Sequence, residues 1–475
     1  MEKLFKLKQN GTTVRTEIVA GLTTFMTMAY IIALNPNLLT GFGAEGQDLW
    51  NGVFLATCIA SAIGTFAMAF LANKPFVMAP GMGLNSFFAI VVGNIAAMTG
   101  MTYLEGFQSA LCIIFIEGII FIILSVLNIR EKIVQAIPLG VRLGIGPAIG
   151  LMLMNIGFGS NVSLYSDKGG PFYAMRDFFG ALTAKFAQDT MGDEGYKLMV
   201  LSVATMLIGL FVIIALTHKK IKGAVLYGML FASAIYWACE AIFFDTNPFA
   251  SLKTASFVPP FKDMANTTLF KLNFSGFVQI GWFTIVTLII TFCIIDMFDT
   301  IGTLVGTASR AKMLDEKGNM PNMKQALLSD AIGTVTGSVT GTSTVTTFVE
   351  SASGVEAGGR TGLTAIVAGL MFLLCMFFAP FAAIIPAPAT SSALIYVGIL
   401  MFGNLKDIDF SDFSQLAPVA IMILAMPVSG SIGHGIGLAL ISYTVIKLCT
   451  GKAKEVSVLT YILSLIFILK FFIPV

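Results

Sequence analysis

The sequence predicts an all-α polytopic membrane protein of fourteen membrane segments, arranged as two inverted repeats of seven, with short broken or strand-like elements in segments 3 and 10. Three observations predict this fold class. Long apolar stretches recur along the chain, basic residues concentrate in alternate connections, and two segments are interrupted by glycine, proline and polar residues at matching places.

The composition places the chain in a bilayer. Only 11% of its 475 residues are charged and 56% are hydrophobic, whereas soluble chains average about a quarter charged residues. Its mean hydropathy is +0.87, and stretches of the roughly 20 apolar residues that cross a bilayer recur from Glu17 onward. The net charge of +2 gives no indication of a nucleic-acid partner, and six cysteines without CxxC spacing indicate neither a metal site nor a disulfide framework.

These stretches define the fourteen predicted segments. They lie near residues 17–39, 50–72, 78–98, 106–128, 137–157, 199–217 and 221–244 in the first half, and near 281–307, 326–341, 344–357, 361–384, 386–403, 415–429 and 433–450 in the second. The stretch 456–473 follows, and the sequence leaves open whether it spans the membrane or lies at the interface. The long connections, 158–198 and 246–280, can each hold a short helix or hairpin.

Basic residues indicate the orientation, because lysine and arginine near span ends stay on the cytoplasmic side. With the N-terminus inside, most of the 28 basic residues lie at the N-terminus or in even-numbered connections, as Arg130, Lys219 and Arg310 do. The sequence therefore predicts a multi-pass protein of the cytoplasmic membrane with a cytoplasmic N-terminus and both long connections outside.

A duplication is predicted from the odd number of membrane segments in each half and from a faint internal repeat. A seven-segment unit repeated once must invert, since an odd number of crossings reverses the second copy. The run from Ile137 to Gly150 aligns with the run from Ile385 to Gly398 at a constant shift of 248 residues. The predicted organisation is a first repeat at 1–244, an extracellular connection at 245–280, a second repeat at 281–450 and a C-terminal apolar segment at 451–475.

Two segments are interrupted where a lipid-facing helix would be continuous. Residues 75–94 and 337–359 are rich in glycine, proline and polar residues, and the β-branched run 342–349 has strand character. Irregular backbone at membrane depth survives only inside protein or beside a cavity. Matched interruptions in two halves predict a binding site there.

Ionisable residues inside the spans are the candidates for function, because a charge at membrane depth is costly and usually faces the protein interior. In segment 8, Asp296 and Asp299 are three residues apart and share a helical face with Thr300. Glu350 lies in segment 10, and Asn85 in segment 3 is its expected counterpart, 265 positions earlier. A structural role, bonded to threonines, stays open for Asp299.

Other titratable residues are assigned more structural roles. Glu117 in segment 4 is open between structure and function, and Asp330 is expected to cap or line the ninth helix. Glu356 and Arg360 are expected to form a solvated i,i+4 pair.

The chemistry of these groups favours a neutral or cationic cargo with many hydrogen-bond donors. No lysine or arginine lies near the acids of segments 8 and 10, since Arg360 follows the end of segment 10. One carboxylate accepts two adjacent donors of a purine, backbone N–H groups at a broken helix donate to its acceptors, and phenylalanine rings stack on its face. Two close acids can load and unload a proton, while carboxylates and freed carbonyls also suit a hard cation such as sodium.

Four runs resemble a known family. They are GTTVRTEIVAGLTTFMTMAYIIALNP (11–36), APGMGLNSFFA (79–89), IIDMFDTIGTLVGTASRAKMLD (294–315) and GTSTVTTFVESASGVEAGGRTGLTAIVAG (341–369). Together they resemble the AzgA-like purine permeases, a branch of the nucleobase–cation symporter-2 superfamily. The resemblance implies a core domain of segments 1–4 (about 17–128) and 8–11 (about 281–384), and a gate domain of segments 5–7 (about 137–244) and 12–14 (386–450). It also implies a homodimer and import of hypoxanthine, guanine or adenine with protons.

Residue by residue, the resemblance implies roles at the interrupted segments. Asp296 and Glu350 match the acids that contact the base, with the backbone of Phe348 and Val349 beside Glu350. Asn85 matches a polar residue of segment 3 that is important in this branch, and Asp299 matches the second acid of segment 8. The aspartate in segment 8 departs from the uracil and xanthine branches, which have glutamate there.

The expected function is proton-coupled uptake of hypoxanthine or guanine by an elevator-like shift of the core against the gate, with no cofactor and sodium coupling left open. Adenine is the alternative cargo, followed by an anion or pyrimidine carried by the same fold. The residues expected to bind the base are Asn85, Asp296, Thr300, Phe348, Val349 and Glu350, and those expected to carry the proton are Asp299 and Asp296. An intramembrane enzyme is disfavoured, because a protease needs its two acids on separate helices and a prenyltransferase needs them at the water face.

Overall fold

The computed structural model describes residues 2–41, 45–127, 137–159, 184–253, 255–310, 313, 320–429 and 431–472. The chain folds as two compact units, and each takes one stretch from either half of the sequence. Unit 1 contains Met1–Val134 and Ser256–Ala379, and unit 2 contains Gln135–Ala255 and Pro380–Pro474. Much of the predicted connection 158–198 lies outside the described residues.

The elements are helical apart from two short strands. In chain order they are α1 (Glu2–Phe5), α2 (Val14–Met28), α3 (Ile31–Leu39), α4 (Gln47–Ala67), β1 (Met78–Pro80), α5 (Met82–Thr99), α6 (Tyr103–Val126), α7 (Leu139–Phe158), α8 (Ala184–His218), α9 (Ala224–Phe243), α10 (Phe261–Thr267), α11 (Phe274–Gln279), α12 (Trp282–Arg310), α13 (Met323–Thr340), β2 (Val345–Thr347), α14 (Ser351–Glu356), α15 (Gly362–Cys375), α16 (Ala379–Ala383), α17 (Ala387–Met401), α18 (Phe413–Ser429), α19 (Ile432–Cys449) and α20 (Val458–Phe472). A π-helical turn, Met68–Ala72, extends α4, and 3-10 turns lie at Ala250–Lys253, Met376–Phe378, Phe402–Asp407 and Ala453–Glu455.

Helix length and composition agree with a polytopic membrane protein. Ten helices of the described residues are long and apolar enough to cross a membrane, and α17, α18 and α20 are shorter apolar helices. Segment 1 is interrupted between α2 and α3, and α8 bends at Gly192, whose φ is 74°. The connection 246–280 holds α10 and α11, as expected of a connection with short helices.

The core of unit 1 lies where α4, α12 and α13 meet the two strands. Its buried apolar residues include Ala60, Met68, Met78, Leu304, Leu327 and Val345. Helices α4 and α13 approach closely at Gly64, where an added Cβ would lie 3.3 Å from Gly333 Cα. The apolar packing therefore holds the strands deep inside the unit.

The connection before α12 packs onto unit 1 as part of it. Asn51 of α4 donates to Asp263 of α10 at 2.7 Å, and Gln108 of α6 donates to the carbonyl of Thr267 at 2.9 Å. Gly341, with a φ of 106°, lies against Thr268, so a side chain there would be strained and would collide. This packing fixes the loop between α13 and β2.

A buried carboxylate joins α2 to the start of α15. Glu17 is fully buried and accepts from the backbone N–H of Arg360 at 2.9 Å. Its other oxygen accepts from the hydroxyls of Thr361 and Thr364 at 2.9 and 2.6 Å. A negative charge is favourable at a helix N-terminus.

The Arg360 guanidinium donates to the carbonyls of Val355 and Gly359. The prediction that Arg360 pairs with Glu356 is therefore wrong, because the described contacts of the guanidinium are with these backbone carbonyls.

Glu17→Gln is expected to destabilise the protein by about 3 kcal/mol, because an amide places N–H groups against donors and removes charge-assisted bonds. Thermal unfolding of the purified protein, followed by size-exclusion fluorescence, should show a melting temperature lower by about 6 °C or more. Glu105→Gln is the matched control, since Glu105 caps α6 at an exposed position. Equal, small shifts for both variants would contradict the role of Glu17.

The core of unit 2 lies between α8 and α17. Its buried residues include Met199, Val203, Met206, Leu210, Ile213 and Ile395. Gly150 of α7 and Gly398 of α17 meet backbone to backbone, since an added Cβ on either would lie 2.5 Å from the carbonyl oxygen of the other. These are the two glycines that the 248-residue shift aligns.

Helix α20 packs against α19 in unit 2. Phe467 is fully buried, and a Cβ on Gly437 would lie 2.8 Å from its ring. Thr444 and Ser464 share a hydrogen bond of 2.9 Å. The final apolar stretch is therefore a helix docked on the protein.

Candidate functional site

The two strands form an antiparallel pair inside unit 1. Met78 pairs with Thr347 and Pro80 with Val345. The backbone N–H of Gly81 donates to Thr344 at 3.1 Å, and that of Phe348 donates to Val77 at 3.0 Å. The strand-like elements predicted in segments 3 and 10 are therefore present and contact each other.

The strand β2 separates an apolar side from a polar side, because successive side chains point to opposite faces. Val345 belongs to the apolar core cluster. Thr346 and Thr344 face the other way: the hydroxyl of Thr346 meets Thr300, and that of Thr344 donates to Glu117 at 3.2 Å. We call this side the acid face of β2.

Thr300 is the centre of the acid face. Its hydroxyl oxygen lies 3.0 Å from Asp296, 2.8 Å from Asp330 and 2.7 Å from the hydroxyl of Thr346. All four side chains are buried. Asp330 thus lies on α13, the helix of predicted segment 9, and faces the predicted site. Its place inside a predicted membrane segment was the signal for it.

Glu350 lies at the start of α14, where it is the N-cap residue. Its carboxylate accepts from the hydroxyl of Tyr30 at 2.8 Å, and the side chain is half-buried. Phe348 is buried, whereas Val349 is 50% exposed. The carboxylate therefore lies at the edge of the packed core, beside an exposed apolar side chain.

Asp299 lies near the strand pair without belonging to the Thr300 group. It is half-buried, and a Cβ added to Gly81 would lie 3.5 Å from its Oδ2 and 2.8 Å from Thr346 Cγ2. A glycine at position 81 therefore leaves the space in front of the Asp299 carboxylate open.

Asn85 is buried in an amide network. Its amide nitrogen donates to Asn35, and its amide oxygen accepts from Ser343. It lies in the first turn of α5, four residues after the N-cap Gly81, whereas Glu350 is itself an N-cap. The expected equivalence of Asn85 and Glu350 is therefore wrong, because β2 is separated from its helix by two more residues than β1.

The structure brings most of the predicted residues to one region and adds others. Asp296, Asp299 and Thr300 of α12 and Phe348, Val349 and Glu350 after β2 lie around the strand pair, while Asn85 lies behind it. The additional residues, found only through long-range contacts, are Tyr30, Asn35, Thr57, Thr342, Ser343, Thr344 and Thr346.

The stretches that supply these side chains carry acidic and amide side chains but no basic ones. Residues 16–73, 75–129, 282–309 and 325–359 contain no lysine, arginine or histidine. Among the described residues, no group of three or more histidine, cysteine or acidic side chains is arranged to hold a metal ion. The arrangement can accept hydrogen bonds, donate from backbone and hydroxyl groups, and exchange protons.

Sequence similarity to known permeases extends over nearly the whole chain. The model of a family described as Permease family matches residues 15–184 and 174–432. The chain is 37% identical to the adenine permease AdeP of Escherichia coli over 470 residues, 99% of this chain and 95% of that protein. It is 34% identical to the guanine/hypoxanthine permease PbuO of Bacillus subtilis over 472 residues, 99% of this chain and all of that protein (100%).

The fold is similar to that of a solved transporter. The transmembrane domain of the cyanobacterial bicarbonate transporter BicA superposes with a TM-score of 0.62 at 16% identity, covering 90% of this chain and 97% of that chain. An identity this low bears on the fold alone, and it supports an all-α polytopic membrane protein.

Proposed function

The chain belongs to the permease family, and we propose that it is a purine nucleobase permease that takes up hypoxanthine or guanine together with protons. The family consists of transporters and not enzymes, and the resemblance to purine permeases that the motifs indicate is confirmed by the named relatives. Because those relatives are named for adenine and for guanine and hypoxanthine, adenine is the alternative cargo.

The observation that supports a purine is the half-buried carboxylate of Glu350 beside the acid face of β2. It is held by Tyr30 at 2.8 Å and still has acceptor capacity for two neighbouring donors, such as N1–H and the 2-amino group of guanine. Hypoxanthine presents N1–H without a second donor beside it, whereas adenine has no hydrogen at N1. This difference favours hypoxanthine and guanine.

The charge of the site argues against an anion as cargo. The four stretches that build it contain no cationic side chain, and they supply the acidic and amide side chains at the strand pair: Asn35, Asn85, Glu117, Asp296, Asp299, Asp330 and Glu350. An anion in low dielectric needs a positive partner, so a bicarbonate- or sulfate-like cargo is disfavoured despite the shared fold.

Proton coupling is supported by counting the protons around Thr300. Three oxygen atoms lie within 3.0 Å of its hydroxyl oxygen, and each short oxygen–oxygen contact requires one proton. Thr300 and Thr346 supply one each, and we infer that Asp296 or Asp330 supplies the third as a carboxylic acid. We therefore extend the expected proton carriers, Asp299 and Asp296, to include Asp330.

The proposal includes fourteen segments in two inverted repeats, a cytoplasmic N-terminus and an elevator-like shift of unit 1 during transport. The mutual contact of Gly150 and Gly398 supports the repeat, because positions related by a two-fold axis contact each other reciprocally.

Proteoliposomes containing the purified protein should take up radiolabelled hypoxanthine and guanine, and uptake should increase when the outside is made acidic. Competition by adenine, uracil and sulfate measures the selectivity, and liposomes without protein are the control. Absence of uptake of all three purines would exclude the proposed cargo, and uptake driven by a sodium gradient alone would exclude the proton.

A further inference from the structure

A chain of buried polar side chains lies behind the strand pair, outside the acid face. Asn35 of α3 donates to the hydroxyls of Thr57 at 2.8 Å and Thr342 at 2.9 Å. Its amide oxygen accepts from Asn85, whose own oxygen accepts from Ser343. All five side chains are fully buried. We call Thr57, Asn35, Asn85 and Ser343 the amide relay.

The direction of the amide relay is fixed at one end by the backbone. The hydroxyl of Thr57 donates to the carbonyl of Val53 at 2.7 Å. A hydroxyl has one proton, so Thr57 can only accept from Asn35, and the amide nitrogen of Asn35 must face it. The amide oxygen of Asn35 therefore faces α5 and requires a donor there.

The need of the Asn35 amide oxygen for a donor also determines the orientation of the next side chains. Asn85 must present its nitrogen to Asn35, which turns its oxygen toward Ser343 and makes the Ser343 hydroxyl the donor. Reversing either amide would place two acceptors or two donors face to face in a buried site, and a buried polar atom without a partner is costly. One backbone carbonyl thus sets the orientation of three side chains.

The relay ends at the backbone that forms the site. Asn85 lies in the first turn of α5, directly after β1, and Thr342 and Ser343 precede β2. The carbonyl of the next residue, Thr344, accepts from Gly81. The Asn35 side chain thus contacts α4, α5 and the loop before β2 together.

We propose that Asn35 is a positioning residue of the substrate site: through Asn85 and Thr342 it fixes the two interrupted segments against each other, and so holds the strand pair and Glu350 in place for the cargo. The inference rests on the proposed function. Asn35 needs no contact with the cargo, because its effect is transmitted by the orientation of Asn85 and by the loop before β2.

The test is purine affinity as a function of pH. Binding of radiolabelled hypoxanthine to the purified full-length protein is measured at pH 8 and pH 5 for wild type, Asn35→Ala and Asn35→Asp. Asn35→Ala should weaken binding by about tenfold at both values. Asn35→Asp should weaken it as much at pH 8, since a carboxylate cannot donate to Thr57, and should recover several-fold at pH 5, since the protonated acid can.

Any change of charge in the other titratable groups near the relay between pH 5 and pH 8 affects both variants equally. Glu117 faces the loop through Thr344, and Asp296, Asp299, Asp330 and Glu350 lie at the strand pair, but all are common to both variants. The ratio of the two dissociation constants therefore reports the introduced carboxyl. A ratio that does not change with pH, or an affinity of Asn35→Ala within twofold of wild type, overturns the proposal.

A milder pair of variants covers the case that the Asn35 variants do not fold. Thr57→Val removes the anchor of the relay, and Thr40→Val removes a buried hydroxyl that bonds to the carbonyl of Pro36 at 2.8 Å but lies outside it. Only Thr57→Val should weaken hypoxanthine binding, by several-fold, and equal effects of the two variants overturn the proposal.

A measurement without cargo distinguishes failure of the proposed function from failure of the relay. If wild type binds no purine, the proposed function fails, and the relay is judged by thermal unfolding of Asn35→Ala, Ser343→Ala and the double variant. These two residues are joined through Asn85, so their effects should be non-additive. Additive shifts overturn the relay.

Discussion

Replacing Glu350 by glutamine is expected to weaken purine binding by about 100-fold or more. Hydrogen bonds to a charged acceptor contribute about 1.5–3 kcal/mol each, and glutamine can present an N–H₂ group to N1–H of hypoxanthine or to one of the two donors of guanine. The amide oxygen can still accept from Tyr30, so the N-cap region of α14 should stay folded. Binding of radiolabelled hypoxanthine and guanine to purified protein measures the loss.

Glu356→Gln is the matched control for this variant. Glu356 lies on the same short helix and is exposed, so the same chemical change there should leave the affinity unaltered. Tyr30→Phe should cause a smaller loss, about tenfold or less, because it releases the carboxylate without removing its charge. Unchanged affinity of Glu350→Gln with a wild-type melting temperature would show that another group binds the donors of the base.

The interrupted segments were predictable because their cause is local. Glycine, proline and the β-branched run before Glu350 disfavour a continuous helix at membrane depth, and the structure has β1 and β2 there. The shared helical face of Asp296 and Thr300 also follows from spacing alone, and the two side chains are bonded at 3.0 Å. Local periodicity is sufficient for both.

The contacts that complete the site were not predictable from spacing. Tyr30 and Glu350 are 320 residues apart and Asn35 and Thr342 are 307 apart, so tertiary packing alone brings them together. Asn85 and Glu350 were predicted to be equivalent positions of the two repeats, and this error has a similar origin. A constant shift along the sequence ignores the two extra residues between β2 and its helix. The repeat boundaries, the cargo contacts and the coupling ion stay predictions.

Asp330→Asn is expected to abolish accumulation driven by a pH gradient while purine exchange continues within about threefold of wild type. In the proposed arrangement a protonated Asp330 donates to the Thr300 hydroxyl, and an asparagine amide at position 330 can donate in the same place. The variant therefore resembles the protonated protein permanently, with the hydrogen bonds kept and the titration removed. With one proton per base, one pH unit can drive about tenfold accumulation, and this ratio should fall to about one.

The comparison of exchange with accumulation separates a proton carrier from a structural residue. Asp263→Asn is the control, since Asp263 also bonds a side chain of unit 1, at 2.7 Å from Asn51, away from the strand pair. Asp299→Asn, measured alongside, decides whether the second acid of α12 titrates as well. Wild-type accumulation in Asp330→Asn would assign the proton to Asp296 or Asp299, and equal loss of exchange and accumulation would make Asp330 structural. In the proposed arrangement Thr300 donates to one of its two acids, and the other acid carries the proton. We therefore expect proton release to separate at least one aspartate from Thr300, which would link deprotonation to movement of α12 or α13 against β2.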